Sequence, residues 1–234
     1  STLSSGSSRL GLTTELEPLI DVHVHTSPRL YRLTDELLRA NRVSRFVNLS
    51  GGPMGPRLER SLNAARSFDG RLKVCVNINW RLLPRADFIA RQLRALERAH
   101  SLGAACLKIS KALGLYVPDP ESRARPAKLL PIDAPRLDPI WRKAGELGFP
   151  VFIHSGDPKA FFEPLTPENE RYDELSVHPS WSFADRSRFP SREAILAARN
   201  RVIARHPETI FIGVHFANNS EDIQAVGEAL ARYP

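Results

Sequence analysis

The stretch Leu19-Ile20-Asp21-Val22-His23-Val24-His25 decides how the chain is read. It is rich in apolar and β-branched residues, follows Pro18 and ends before Thr26-Ser27-Pro28, which marks it as a strand. Side chains on a strand alternate between faces, so His23 and His25 point the same way, about 7 Å apart along the strand. Imidazole is a common ligand for first-row metals, and two rings on one face can converge on a single ion. Taken alone, the pair reads equally well as surface or core histidines.

Working outward, five more apolar runs at 45–50, 73–80, 105–110, 150–154 and 209–215 alternate with longer amphipathic stretches. That rhythm predicts βα units and a parallel sheet. The helices have readable ends: Thr34 as the N-cap of 35–42, Gly103 after 86–102, Asp138 as N-cap with Pro139 ahead of Gly148, and Ser191 before 192–205. Ser220, Glu221 and Asp222 open a last helix that runs to Tyr233 and Pro234. Two connections, 111–136 and 155–190, are far longer than usual, and each follows the C-terminal end of a strand. At that edge α/β barrels assemble their sites.

Composition narrows the class. The chain has 234 residues, 42% hydrophobic and 25% charged, as a globular domain does. A surplus of 33 Lys and Arg over 26 Asp and Glu leaves +7, with the arginines scattered along helices rather than grouped with aromatics, which speaks against nucleic acid as partner. No apolar run approaches the roughly 20 residues of a membrane-spanning helix. Two cysteines, Cys75 and Cys106, make no disulfide framework and no cysteine metal site; lying in apolar runs, they read as buried thiols. Residues 1–18 read as a flexible, Ser- and Gly-rich leader and 19–234 as one domain. A cytoplasmic setting is favoured, and a start at Ser1 is also compatible with a removed signal peptide.

Four of the seven histidines fall at strand ends: His23 and His25, His154 closing Val-Phe-Ile-His, and His215 closing Phe-Ile-Gly-Val-His. Parity places Lys108 on the face of Cys106, opposite Leu107 and Ile109. An inward lysine is costly unless it meets an anion or is modified. Three roles stay open for it: a carbamate bridging two metals, a contact to a substrate carboxylate, or a side chain that snorkels to the rim. Lys111 reads as a rim residue reaching solvent. Asp157, three residues after His154, either forms a turn before Pro158 or orients a metal ligand or substrate. Asn77, Asn79 and Trp80, with Phe161, Phe162 and Trp181 in the long loop, are candidates to line a pocket.

This order of motifs, His23-Val24-His25 on strand one, Lys108 on strand four, His154 on strand five and His215 on strand six, resembles the amidohydrolase superfamily. The likeness is to its amidohydrolase-related branch, which holds aminocarboxymuconate-semialdehyde decarboxylase-like enzymes. The resemblance implies a (β/α)₈ TIM-type barrel with one or two divalent metals, zinc first, with manganese, iron or cobalt as alternatives. His23, His25 and His154 would be ligands; His215 would be a further ligand or a catalytic contact to water or substrate. Asp157 is the second catalytic candidate, and Lys108 and Trp80 are the substrate-binding ones. The implied activity is hydrolysis of an amide, ester or lactone of a small, carboxylate-bearing molecule, with metal-dependent decarboxylation or a noncatalytic barrel as alternatives. A homo-oligomer is compatible with this reading. The family's strand-eight aspartate has no match, because the sequence stops after the sixth βα unit; the expectation is a barrel holding strands one to six.

Overall fold

Six strands line up in chain order to form one parallel sheet: β1 (Leu19–Val24), β2 (Val43–Asn48), β3 (Leu72–Asn77), β4 (Cys106–Ile109), β5 (Val151–Ile153) and β6 (Phe211–Gly213). The structure, a computed structural model, describes residues 18–233, so the expected leader lies outside it apart from Pro18. Right-handed crossover through a helix is the usual way to join parallel neighbours, and helices Tyr31–Ala40, Pro56–Ala65, Phe88–Ser101, Asp138–Glu146 and Arg192–Arg205 fall between successive strands. A further helix, Ile223–Arg232, follows β6. The sheet curls into a half-barrel of the (β/α)₈ type. Among the described residues, no helix is long and apolar enough to cross a membrane.

Strand alternation produces two cores. Leu107, Ile109, Val151 and Ile153 face outward and pack with Leu96, Ile140, Trp141, Ile195 and Val202 of the helices. On the inner face Leu49, Cys75, Cys106, Phe152 and Val214 form a second, smaller cluster. Lys108 stands two residues beyond Cys106 and is only 4% exposed. Burying one such leucine or isoleucine contributes roughly 1.5–3 kcal/mol, so the central strands are held on both sides. The edges are not: Ile20 in β1 is 54% exposed and Ile210, just ahead of β6, 68%.

Several local expectations change. Cys75 and Cys106 are buried but not thiols; they form a disulfide. In-register pairing of β3 with β4 makes the two residues direct partners, with Cα atoms 4.4 Å apart, within bridging range. Spacing of 31 residues in sequence does not reveal that register. Thr34 is not an N-cap: a turn from Ser27 to Leu30 starts the helix at Tyr31, and the Thr34 hydroxyl instead pairs with that of Thr26 at 2.9 Å. Asp138 is the first helical residue, after Leu137, and its carboxylate accepts from Arg205 at 2.9 Å. Ser191 does cap its helix, accepting from the Ala194 N–H, and Asp222 caps the last one through Ala225. Gly103 and Gly148 sit just past their helices at φ +96° and +65°, where a side chain would be strained.

Candidate functional site

The four strand-end histidines meet at one mouth. Ring centroids of His23 and His25 are 5.1 Å apart, those of His23 and His215 4.7 Å, and those of His154 and His215 4.9 Å. The edges of the curled sheet, β1 and the end of β6, thus approach through imidazoles although no strand pairs them. His23 and His25 bring their Nε2 atoms to 3.1 Å, so one of the two carries the proton. The other nitrogen of His25 pairs with the Ser50 hydroxyl at 2.7 Å. Ser50 ends the predicted second strand, and that position was the signal available for it.

His154 is held differently. Its Nε2 lies 2.8 Å from the Gly156 carbonyl, which only accepts, so that nitrogen donates; in a neutral imidazole Nδ1 is then the acceptor. The Asp157 carboxylate is 3.7 Å away and forms an ion pair with Lys111. Lys111 is therefore not a free rim residue. Burial would push the Asp157 carboxyl up, but the pull of His154 and the hydrogen bond from Lys111 outweigh it and hold the group below the usual carboxylate range. A carboxylate so paired is a weak proton acceptor and a firm tether.

His215 sits at φ +53°, and Phe216, Ala217 and Asn218 share that left-handed conformation. For residues with a Cβ this costs roughly 1–2 kcal/mol each, so the turn persists only where its surroundings hold it. The Arg199 guanidinium donates to the Ala217 carbonyl and Arg192 to that of Asn218.

Charge is scarce here. Burial first, then the Lys108 charge and the other imidazoles, hold His23 down to about 4; burial and the same neighbours lower His25 and His215. These three are neutral at pH 7. Lys108 is pushed down to about 8 by burial, and its Nζ has no hydrogen-bond partner. A buried ammonium without a partner is a feature that calls for an anion.

The remaining candidates lie outside this cluster. Trp80 opens a single turn after β3 and packs against Phe88 and the outer core, centroids 6.0 Å apart. Asn77 ties loops, accepting from the Gly52 N–H. Phe161 is buried, Phe162 packs on Phe183, and Trp181, 42% exposed, stacks on His178. The long loop thus spends its aromatics on its own small core. Asn79 makes a backbone contact to Gln92.

Four imidazoles are a donor set suited to a divalent first-row ion. The 3.1 Å between the His23 and His25 nitrogens is close to the roughly 3.3 Å that separates two ligands about 2.05 Å from a tetrahedral ion. Among the described residues, no three of His, Cys, Asp and Glu already form a complete ligand set.

The amidohydrolase family model matches residues 20–234. No curated protein sequence matches the chain. Among solved structures, 2,6-dihydroxybenzoate decarboxylase from Rhizobium aligns with TM-score 0.50 and 14% identity, over 84% of this chain and 65% of its own length. A probable 2-pyrone-4,6-dicarboxylic acid hydrolase from Acinetobacter baumannii gives 0.42 and 12%, covering 92% of each chain. An amidohydrolase from Mycobacterium avium subsp. paratuberculosis K-10 gives 0.41 and 14%, over 87% and 52%. At 14% identity the likeness to the decarboxylase is one of fold, and the chain spans 65% of that protein's length. Because the family match runs from the first strand through the last helix, the chain belongs to the amidohydrolase family.

Proposed function

We propose that this chain carries the metal-binding half-barrel of a hydrolase acting on an amide, ester or lactone of a small, carboxylate-bearing molecule. The order of its motifs supports reading it with the amidohydrolase-related branch that also holds decarboxylase-like enzymes. The observation that carries the reading is the convergence of four imidazoles from three strand ends beside an unpartnered buried ammonium. His23, His25 and His154 would hold one divalent ion, zinc first. Bound there, such an ion would supply Lewis acidity that acidifies water and polarises a carbonyl.

The chain's own groups divide the remaining work. Lys108 Nζ, at the floor of the mouth, binds the substrate carboxylate, and its burial makes that contact strong. His215, neutral at pH 7, takes a proton at an imidazole nitrogen and returns it to the leaving group. Asp157 braces His154 and Lys111 rather than accepting the proton, since it is already paired. The loops 111–136 and 155–190 meet where Tyr116 packs on Phe183, centroids 5.8 Å apart.

Elemental analysis of the wild-type protein and a His23→Ala/His25→Ala variant tests this. We expect about one first-row metal per wild-type chain and background in the variant; equal content in the two would end the metal reading. Turnover of lactone and ester acids, assayed beside release of CO2 from aromatic acids, separates hydrolysis from decarboxylation. CO2 release alone would replace the first reaction by the second.

A further inference from the structure

Between the segments that follow β5 and β6 lies a set of polar ties that no part of the reaction uses. The Asn218 side chain is buried at 7% exposure and spans the gap: its Oδ1 accepts from the Ser155 N–H at 2.9 Å and its Nδ2 donates to the Gly156 carbonyl at 2.9 Å. That carbonyl is the one to which His154 Nε2 donates. Asn218 itself belongs to the left-handed turn that begins at His215. One carboxamide therefore touches the partner of one site histidine and the turn presenting another.

Further ties hold Asn218 in place. Arg192, 8% exposed, donates to the Asn218 carbonyl at 2.9 Å, to Asn219 Oδ1 at 2.8 Å and to Glu221 Oε2 at 2.8 Å. The other oxygen of Glu221 accepts from the Lys159 N–H at 2.8 Å, stitching the same two segments together a second time. Four successive left-handed residues persist only where their surroundings over-determine them, and such outliers gather at functional sites.

We propose that Asn218 is a positioning residue that sets the tautomer of His154 and its spacing to His215. By holding the Gly156 carbonyl it keeps the proton on His154 Nε2 and presents Nδ1 as the free donor. Partners of this kind fix the ring orientation of metal-ligating histidines, and removing one costs about 10–100-fold in metal affinity. The inference rests on the metal reading above for its consequence, but not for its geometry.

Two readouts on the full chain test it. In the metal-free protein, long-range ¹H–¹⁵N spectra of the histidine rings report the His154 tautomer. Co²⁺ affinity, measured by competition with a chelator, reports the spacing. We expect His154 as the Nε2–H tautomer in the wild type, with loss of that single form and about 10–100-fold weaker Co²⁺ binding in Asn218→Ala. Ile140→Val, a buried change far from the ties, controls for general loosening and should leave both readouts unchanged. Where Asn218→Ala does not fold, Asn218→Asp keeps the acceptor for Ser155 and loses only the donor to Gly156; the same changes are expected. An Nδ1–H tautomer in the folded wild type, or spectra and affinity unaltered in the variants, would overturn the proposal. A wild type that binds no Co²⁺ would overturn the metal reading instead, leaving the tautomer to decide on Asn218.

Discussion

The four inner strands and the two edge strands draw on the same apolar, β-branched residues yet meet different surroundings. Leu107 in β4 and Val151 in β5 are wholly buried, packed under helices on one side and backed by the inner cluster on the other. Ile20 and Val22 in β1 stand about half exposed. The site draws on both regions. Lys108 and His154 rise from the packed middle, whereas His23, His25 and His215 sit at the edges. In the middle, packing sets where Lys108 points, and His154 adds a polar tie to the Gly156 carbonyl. At the edges, position depends on individual polar ties: Ser50 to His25, and Arg192 and Arg199 to the left-handed turn.

The comparison breaks if centre and edge respond alike to truncation. Leu107→Ala should cost roughly 2–5 kcal/mol in a denaturant titration, because the packed centre cannot collapse around the cavity. A loss below 1 kcal/mol would show that the middle is not the rigid part. Next in size is the Cys75–Cys106 bridge, which closes a loop of 31 residues between the two central strands. Cys75→Ser/Cys106→Ser should lower stability by about 2–4 kcal/mol. Free-thiol titration of the unfolded, unreduced protein should find none; two thiols would mean that Cys75 and Cys106 are not bridged.

Lys108→Met should raise stability, since it removes a buried ammonium that lacks a partner. The depression of Lys108 from 10.5 to about 8, discounted for the screening open to a side chain near the mouth, corresponds to a gain on the order of 1–2 kcal/mol at pH 7. The same variant should keep its metal and raise KM for an anionic substrate. Loss of metal would favour the bridging carbamate instead.

The pH profile of the metal-free protein sharpens the contrast from the edge side. His23, held down to about 4 in the fold, titrates near 6.5 once unfolded. As pH falls the unfolded chain takes up the proton first, so this contribution is complete above about 6.5 and is lost as pH drops towards 4. His25 and His215 act in the same direction. Thermal midpoints should therefore fall across that window, and His23→Gln should flatten the slope. The smallest effect belongs to Ile20→Ala, expected within about 0.5 kcal/mol because the side chain is already in solvent.

Much of the frame was legible from periodicity. All six strands lie inside the apolar runs or within two residues of them, and for the inner four this follows from packing on both faces. The exception in the connections is the Pro56–Ala65 helix, which the sequence reading does not place although Pro56 stands at its first position. Within the site, His23, His25, His154, His215 and Lys108 were legible because each occupies a strand end or an inward parity position. Trp80, singled out at the end of the third strand, packs on Phe88, and Trp181, singled out in the long loop, stacks on His178.

By itself, then, the sequence determined the order of βα units, the strands that carry histidine and the inward face of Lys108, since these follow from local alternation along the chain. Only the tertiary structure decided that Cys75 meets Cys106, that Lys111 is taken by Asp157, and that Asn218 spans from the β6 turn to the loop after His154. Each of those depends on the register between strands or on where two loops meet. The residues involved lie 31, 46 and 63 positions apart, and nothing in local periodicity reports which of many polar side chains will share a buried gap.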